Sequence, residues 1–184
     1  MIPYKVQKGN RPKIEDVILS CLDGDLQKIA LDFAVFMREN KMPFKLCTST
    51  TRAQRASYKS RPICGILVCS DDGGFQADSP SWIVALYLEH MDNYAKIIMN
   101  EGLQSILWDN IFYCVHYNGN AKGCNPNKGC AGGRTHIILG KEINGICRCR
   151  PPAWVNDPNE AAIKSIKRLI ELEQKARDES KNLK

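Results

Sequence analysis

Apolar residues at the start of the chain recur with the period of a helix. Ile14, Val17, Ile18, Cys21 and Leu22 fall at i, i+3, i+4, i+7 and i+8, one apolar stripe with Pro12 in the opening turn. This helix is expected to end at Asp23-Gly24. A second stripe of Leu26, Ile29, Ala30, Phe33, Ala34 and Met37 carries charged residues on its other side and runs to about Asn40, where Pro43 prevents extension. From Phe44 the period drops to two. Phe44 to Thr51 alternates and is rich in β-branched residues, as a half-buried strand is, and Ile63 to Cys69 reads as a strand buried on both faces that ends at Asp71-Asp72-Gly73-Gly74. The continuous apolar run Trp82 to Leu88 fits a third strand or the first turns of a helix, and periodicity leaves both open.

Residues 89 to 112 read as helical, with Met91, Tyr94, Ile97 and Ile98 on one stripe, Leu103, Ile106, Leu107 and Ile111 on another, and a break at Asn100-Glu101-Gly102. Thr135 to Leu139, a turn around Gly140-Lys141-Glu142, and Ile143 to Cys147 predict a hairpin. The closing helix, 158–177, has Asp157 as its cap, Pro158 in first position and Glu160 in a capping-box-like place. Its buried stripe is Ala162, Ile163, Ile166, Leu169 and Ile170, with Lys164, Lys167, Arg168, Glu171, Gln174 and Lys175 facing mostly water, and its tail past Arg177 is expected to fray. The expectation is one α+β domain over residues 1–184. It has two N-terminal helices, a small antiparallel sheet, central helices, a Cys-rich loop with a hairpin at 114–150, and the C-terminal helix.

Composition narrows the class. A chain of 184 residues with 43% hydrophobic and 25% charged residues is an ordinary globular protein of about one domain. No stretch approaches the roughly 20 apolar residues that span a bilayer. Basic residues near the N-terminus have no apolar core behind them, so no secretory signal is read there, and a cytoplasmic protein with no membrane contact is expected. Nine cysteines is an odd number and, without export, most thiols stay reduced. The net charge of +6 favours an anionic ligand, an acidic protein or nucleic acid, without choosing among them.

Five cysteines and two of the three histidines crowd into one interval, Cys114-x9-Cys124-x5-Cys130-x16-Cys147-x-Cys149, with His116 and His136 inside it. The residues between are turn formers with little to bury, such as Tyr117 to Gly123 and Asn125 to Gly129, so this loop needs a cross-link to hold one shape. Cys114, Cys124, Cys130 and Cys147 are the candidate tetrahedral ligands of a structural zinc, with Cys149 and His116 as alternates. Lys122, Lys128, Arg134 and Arg148 offset the charge of such a site. The spacing matches none of the familiar zinc patterns, and unbridged loop thiols are the plain alternative. An iron–sulfur cluster also takes four thiolates, but its familiar bacterial run of cysteines two residues apart is missing. A thiol-based redox enzyme is a further alternative, although no Cys-x-x-Cys occurs. Cys21, Cys47, Cys64 and Cys69 lie among apolar neighbours and read as small core residues with inert thiols.

Arg52, Arg55, Lys59 and Arg61 lie in a connection without an acid, able to grip phosphates with Tyr58 available to stack on a base; a solvated hairpin loop is the favoured reading. Gly129 to Arg134 can form an anion nest, and Asp71, Asp72 and Asp78 can hold a hard cation, although turn composition alone accounts for both. His90 reads as a partly exposed surface residue rather than a base. Trp82, Trp108 and Trp154 read as core anchors. No phosphate-binding glycine loop, dinucleotide fingerprint or His-Glu-x-x-His is present, so no catalysis is assigned.

The block from Cys114 through Ile138-Leu139-Gly140-Lys141-Glu142 and Cys147 to Asn156-Asp157-Pro158 and the closing helix resembles the ending of small uncharacterised bacterial Cys-rich α+β proteins. It departs mildly at Ile143, where an aromatic is typical. That resemblance implies a unified segment and no particular activity. The functional expectation is a metal-stabilised binding or accessory protein. A nucleic-acid-associated protein using the basic 52–61 connection is the alternative.

Overall fold

The computed structural model describes residues 12–46, 53–69, 81–114, 133–147 and 152–180. Contacts group the chain into two compact units, Met1–Val84 with Asn156–Lys167, and Ala85–Val155 with Arg168–Lys184.

In the first unit, helix α1 spans Ile14–Cys21 and α2 spans Gly24–Glu39. Pro12 stands just before α1. Lys13 is the cap residue, and its backbone N–H donates to Asp16 Oδ2 at 3.3 Å, half of a capping box. Helix α2 ends on a Schellman turn: Met42 N–H donates to Met37 O at 2.9 Å and Lys41 N–H to Arg38 O at 3.0 Å. Lys41, at φ 60°, occupies the left-handed position that glycine usually takes. Met37 and Met42 are both fully buried.

Strand β1 covers Phe44–Leu46, β2 Ala53–Tyr58, β3 Arg61–Cys69 and β4 Ser81–Leu86. The basic connection expected at 51–61 is for the most part a strand. Gln54 and Ala56 are buried while Arg55 between them is exposed, which is strand alternation written with residues of low β propensity. β2 turns into β3 through Lys59-Ser60, both at positive φ (49° and 67°), the two-residue geometry that follows the twist of a hairpin. The register sets Phe44 opposite Ala56, Lys45 opposite Arg55, Arg55 opposite Gly65 and Ala56 opposite Cys64. Phe44, Ala56, Cys64 and Ile66 therefore share the inner face, and Lys45, Arg55 and Gly65 the outer.

The run Trp82 to Leu88 resolves as a strand as far as Leu86. Trp82 is fully buried, its ring 6.3 Å from that of Phe33, which lies at the same distance from Phe36 and Phe44. Helix α5, Glu160–Glu179, is capped by Asn159 rather than Asp157: Asn159 Oδ1 accepts from the N–H of Ala162 at 2.9 Å. Asp157 instead accepts from Trp82 N–H at 2.8 Å, and its own N–H donates to Trp82 O at 2.8 Å.

The second unit breaks the expected 89–112 helix into a single 3-10 turn, Met91–Tyr94, helix α3, Ala95–Asn100, and helix α4, Gln104–Trp108. The break sits where glycine predicts it. Gly102, at φ 69°, closes α3 in a second Schellman turn, with Leu103 N–H donating to Ile98 O at 2.9 Å. The hairpin appears as β5, Arg134–Ile138, and β6, Lys141–Ile146, turning through Leu139-Gly140 at φ 51° and 78°. On its outer side Thr135 Oγ1 donates to Asn144 Oδ1. Its core is Ile138, Ile143 and Ile146 against Met91, Trp108, Ile111 and Leu139, and Trp108 Nε1 donates to Ile138 O at 3.2 Å.

Strand β7, Ala153–Asn156, completes a five-stranded sheet of order β1-β2-β3-β4-β7, with β5-β6 as a second sheet. The segment Asn110 to Cys114 pairs on both of its sides. Phe112 N–H donates to Pro152 O and Trp154 N–H to Asn110 O, each at 2.8 Å, while Cys114 N–H donates to Gly145 O at 2.7 Å and Cys147 N–H to Phe112 O at 3.3 Å. Helices and antiparallel pairing occur together in this chain, which makes it an α+β protein.

Candidate functional site

Cys114 and Cys147, distant in sequence, meet through that pairing. The two hydrogen bonds bracket the bridge between Tyr113 and Ile146, so those two residues share one face of the ladder and Phe112, Cys114, Gly145 and Cys147 the other. Cys114 is 5% exposed and Cys147 2%, and both thiols are free. They are diagonal neighbours, a placement with Cα atoms roughly 7–8 Å apart, at or beyond the usual span of a disulfide. Two sulfurs on one zinc stand only about 3.7 Å apart at Zn–S of about 2.3 Å, which side chains leaning together across a ladder can reach.

Glycine makes the room. Gly145, at φ 81°, is the residue opposite Cys114, and Gly133 approaches so closely that a Cβ there would lie 2.8 Å from the Gly145 backbone. The described residues thus offer a metal two buried soft donors on one face, Cys114 opposite Gly145 and Cys147 opposite Phe112. Among the described residues no group of three or more His, Cys, Asp or Glu is gathered at metal-binding spacing. Cys124, Cys130, Cys149 and His116 lie outside the described residues, as do Arg52, Cys47, Asp71, Asp72 and Asp78.

Glu173 on α5 forms a second centre. Its side chain is fully buried, and five donors surround it. Oε1 accepts from Glu89 N–H at 3.2 Å, His90 Nδ1 at 3.0 Å and Arg177 Nε at 2.7 Å, and Oε2 from His90 N–H at 3.1 Å and Tyr94 OH at 2.7 Å. Arg177 also donates to Tyr87 O at 3.1 Å. Burial pushes the Glu173 carboxyl up, but the hydrogen bonds from His90, Tyr94 and Arg177 outweigh it and hold the group below the ordinary carboxylate range. Burial, with the charge and hydrogen bond of Glu173, drives the Tyr94 hydroxyl well above its ordinary value, against the opposing charge of Arg177.

A carboxylate only accepts, so Nδ1 of His90, on a side chain 22% exposed, is the donor in this bond. These bonds fasten the irregular stretch Tyr87 to His90 and the following 3-10 turn to α5. Sequence reasoning ended the α5 stripe at Ile170 and missed this centre. The signal was present, because Glu173 and Arg177 continue the spacing of Ile166, Leu169 and Ile170.

Three of the four basic residues of the 52–61 stretch are described. Arg55 lies mid-strand on the outer face of β2, whereas Lys59 and Arg61 are at the hairpin turn, with Lys59 Nζ 5.7 Å from the centre of the Tyr58 ring. Cys64 is fully buried, and burial pushes its thiol up. Cys21 is half-buried, a departure from the expected core position, with its sulfur 3.5 Å from Ser20 Oγ.

Compared with protein-family models, curated proteins and solved structures, the chain matches none. No helix among the described residues is long and apolar enough to cross a membrane.

Proposed function

We propose that the chain is a metal-stapled binding or accessory protein in which zinc is held by Cys114, Cys124, Cys130 and Cys147, with Cys149 or His116 able to replace one ligand. The observation that carries this reading is the pair of buried, unbridged thiols on one face of the 112–114 and 145–147 ladder, with Gly145 opposite Cys114. Two further candidate thiolates lie close by in sequence: Cys130 comes three residues before Gly133, and Cys149 two residues after Cys147. Four thiolates filling a tetrahedral ion leave no open position, so the metal holds the loop and takes no part in chemistry.

Elemental analysis of protein purified without a metal-affinity column, paired with a free-thiol count, tests the reading. About one zinc per chain, lost together with thermal stability in Cys114→Ser and in Cys124→Ser/Cys130→Ser, is the expected result. Metal-free protein whose nine thiols all titrate once it is unfolded without reductant refutes it.

A further inference from the structure

The edge of the first unit's sheet carries a groove that nothing above has used. β1 is the terminal strand of its sheet, and among the described residues its backbone pairs on one side only, with β2. Along that edge runs a groove of about 390 Å³ between β1, the start of α1 and the face of α2. Its apolar lining comes from Phe44 and Leu46 of β1, Ile14 of α1 and Ala34 of α2.

The charges at this edge are lopsided. Lys13, Arg38 and Lys45 line the groove against one carboxylate, Glu15, and Glu15 is already paired with Arg38 at 2.8 Å. Lys45 stands on the outer face of this edge, opposite Arg55 on β2.

We infer that the β1 edge binds an extended acidic peptide, which adds to the sheet as a further strand. Strand alternation fixes the recognition pattern. The peptide residue beside Lys45 lies on the outer face and is an aspartate or glutamate; its two neighbours point inward, beside Phe44 and Leu46, and are apolar. Backbone hydrogen bonds to the side of β1 that has no partner strand among the described residues supply affinity, the groove selects apolar side chains, and Lys13 and Lys45 select the charge. Pro43 and Lys45 at the same edge also guard it against pairing with a second copy of itself.

The test uses the full ¹⁵N-labelled chain and a capped probe peptide, Val-Glu-Val-Glu-Val. Expected are saturable shifts centred on Phe44, Lys45 and Leu46, slower hydrogen exchange of at least one of these amides, and affinity about tenfold weaker in Lys45→Glu, a change of about 1.4 kcal/mol. Two control peptides keep the inference exposed whatever the variant does. Val-Lys-Val-Lys-Val lacks the charge match, and Val-Glu-Pro-Glu-Val lacks the central N–H. Binding of either with affinity equal to the probe, shifts centred elsewhere, or no binding at low salt overturns the inference.

Discussion

Replacing Glu173 with glutamine changes one atom type in the most densely bonded side chain described, and its cost follows from the geometry. The carboxylate accepts from five donors, three at Oε1 and two at Oε2. A glutamine has one acceptor oxygen. If that oxygen takes the Oε1 position, the new NH₂ faces the His90 backbone N–H, which loses its partner, and the 2.7 Å ion pair with the 3% exposed Arg177 is broken. Breaking a buried ion pair from one side costs about 3–5 kcal/mol. At roughly 2–4 °C per kcal/mol for a chain of this size, Glu173→Gln is expected to lower Tm by about 6–20 °C. Guanidinium titration followed by tryptophan fluorescence measures the free energy. The paired change Glu173→Leu with Arg177→Met removes both charges but leaves the N–H groups of Glu89 and His90 and the Tyr94 hydroxyl without their acceptor, so it should recover only part of the loss.

The pH dependence has a definite sign. The folded Glu173 carboxyl lies below its unfolded value, so its stabilisation is complete above the unfolded carboxylate range, near pH 4.3, and drains away as pH falls through the lower folded value. Wild-type protein should therefore lose more stability on acidification than Glu173→Gln. A cost under about 1 kcal/mol for Glu173→Gln, or identical acid sensitivity of the two proteins, would refute the reasoning.

Three further substitutions probe the local architecture. Asn159→Ala removes the α5 cap and is expected to cost about 1 kcal/mol by denaturant titration; a neutral result returns the cap to Asp157. Lys41→Gly relieves a left-handed lysine in the α2 Schellman turn and should gain about 0.5–1 kcal/mol in the same titration, an idea that a loss of stability refutes. Gly133→Ala puts a Cβ 2.8 Å from the Gly145 backbone and should cost about 1–3 kcal/mol, readable as a lower Tm; an unchanged Tm means that the two chains separate easily.

The helices were legible because their apolar stripes are long and regular: α1 and α2 follow the sequence pattern closely. β2 was not, since its buried positions are Gln54 and Ala56. Gln54 earns an inward place only through a tertiary bond, its Nε2 donating to Pro12 O at 3.0 Å, which no local pattern announces. The apolar run at residues 89–112 looked like helix because burial repeats at similar intervals in short helical pieces; glycine at 102 marked one break, while the pairing of Asn110 to Cys114 depends on strands far along the chain. The same long-range pairing is what sets Cys114 beside Cys147, so sequence supplied both thiols without their geometry. At Glu173 and Arg177 an i, i+4 acid–base pair looked like any solvated helix face, although its position on the buried stripe said otherwise.

The hairpin also contains a chemical clock. Asn144 directly precedes Gly145, the sequence in which a backbone nitrogen most readily attacks the preceding carboxamide, releasing ammonia through a succinimide. The Asn144 carboxamide is engaged by Thr135, and the strand pairing of β6 resists the backbone rotation that ring closure requires. Folded protein should consequently age slowly at this site and unfolded protein quickly. Once the ring reopens as isoaspartate, the chain carries an additional backbone carbon immediately before the glycine that faces both Gly133 and Cys114. Damage there would accumulate as a permanent record of how often each molecule had opened.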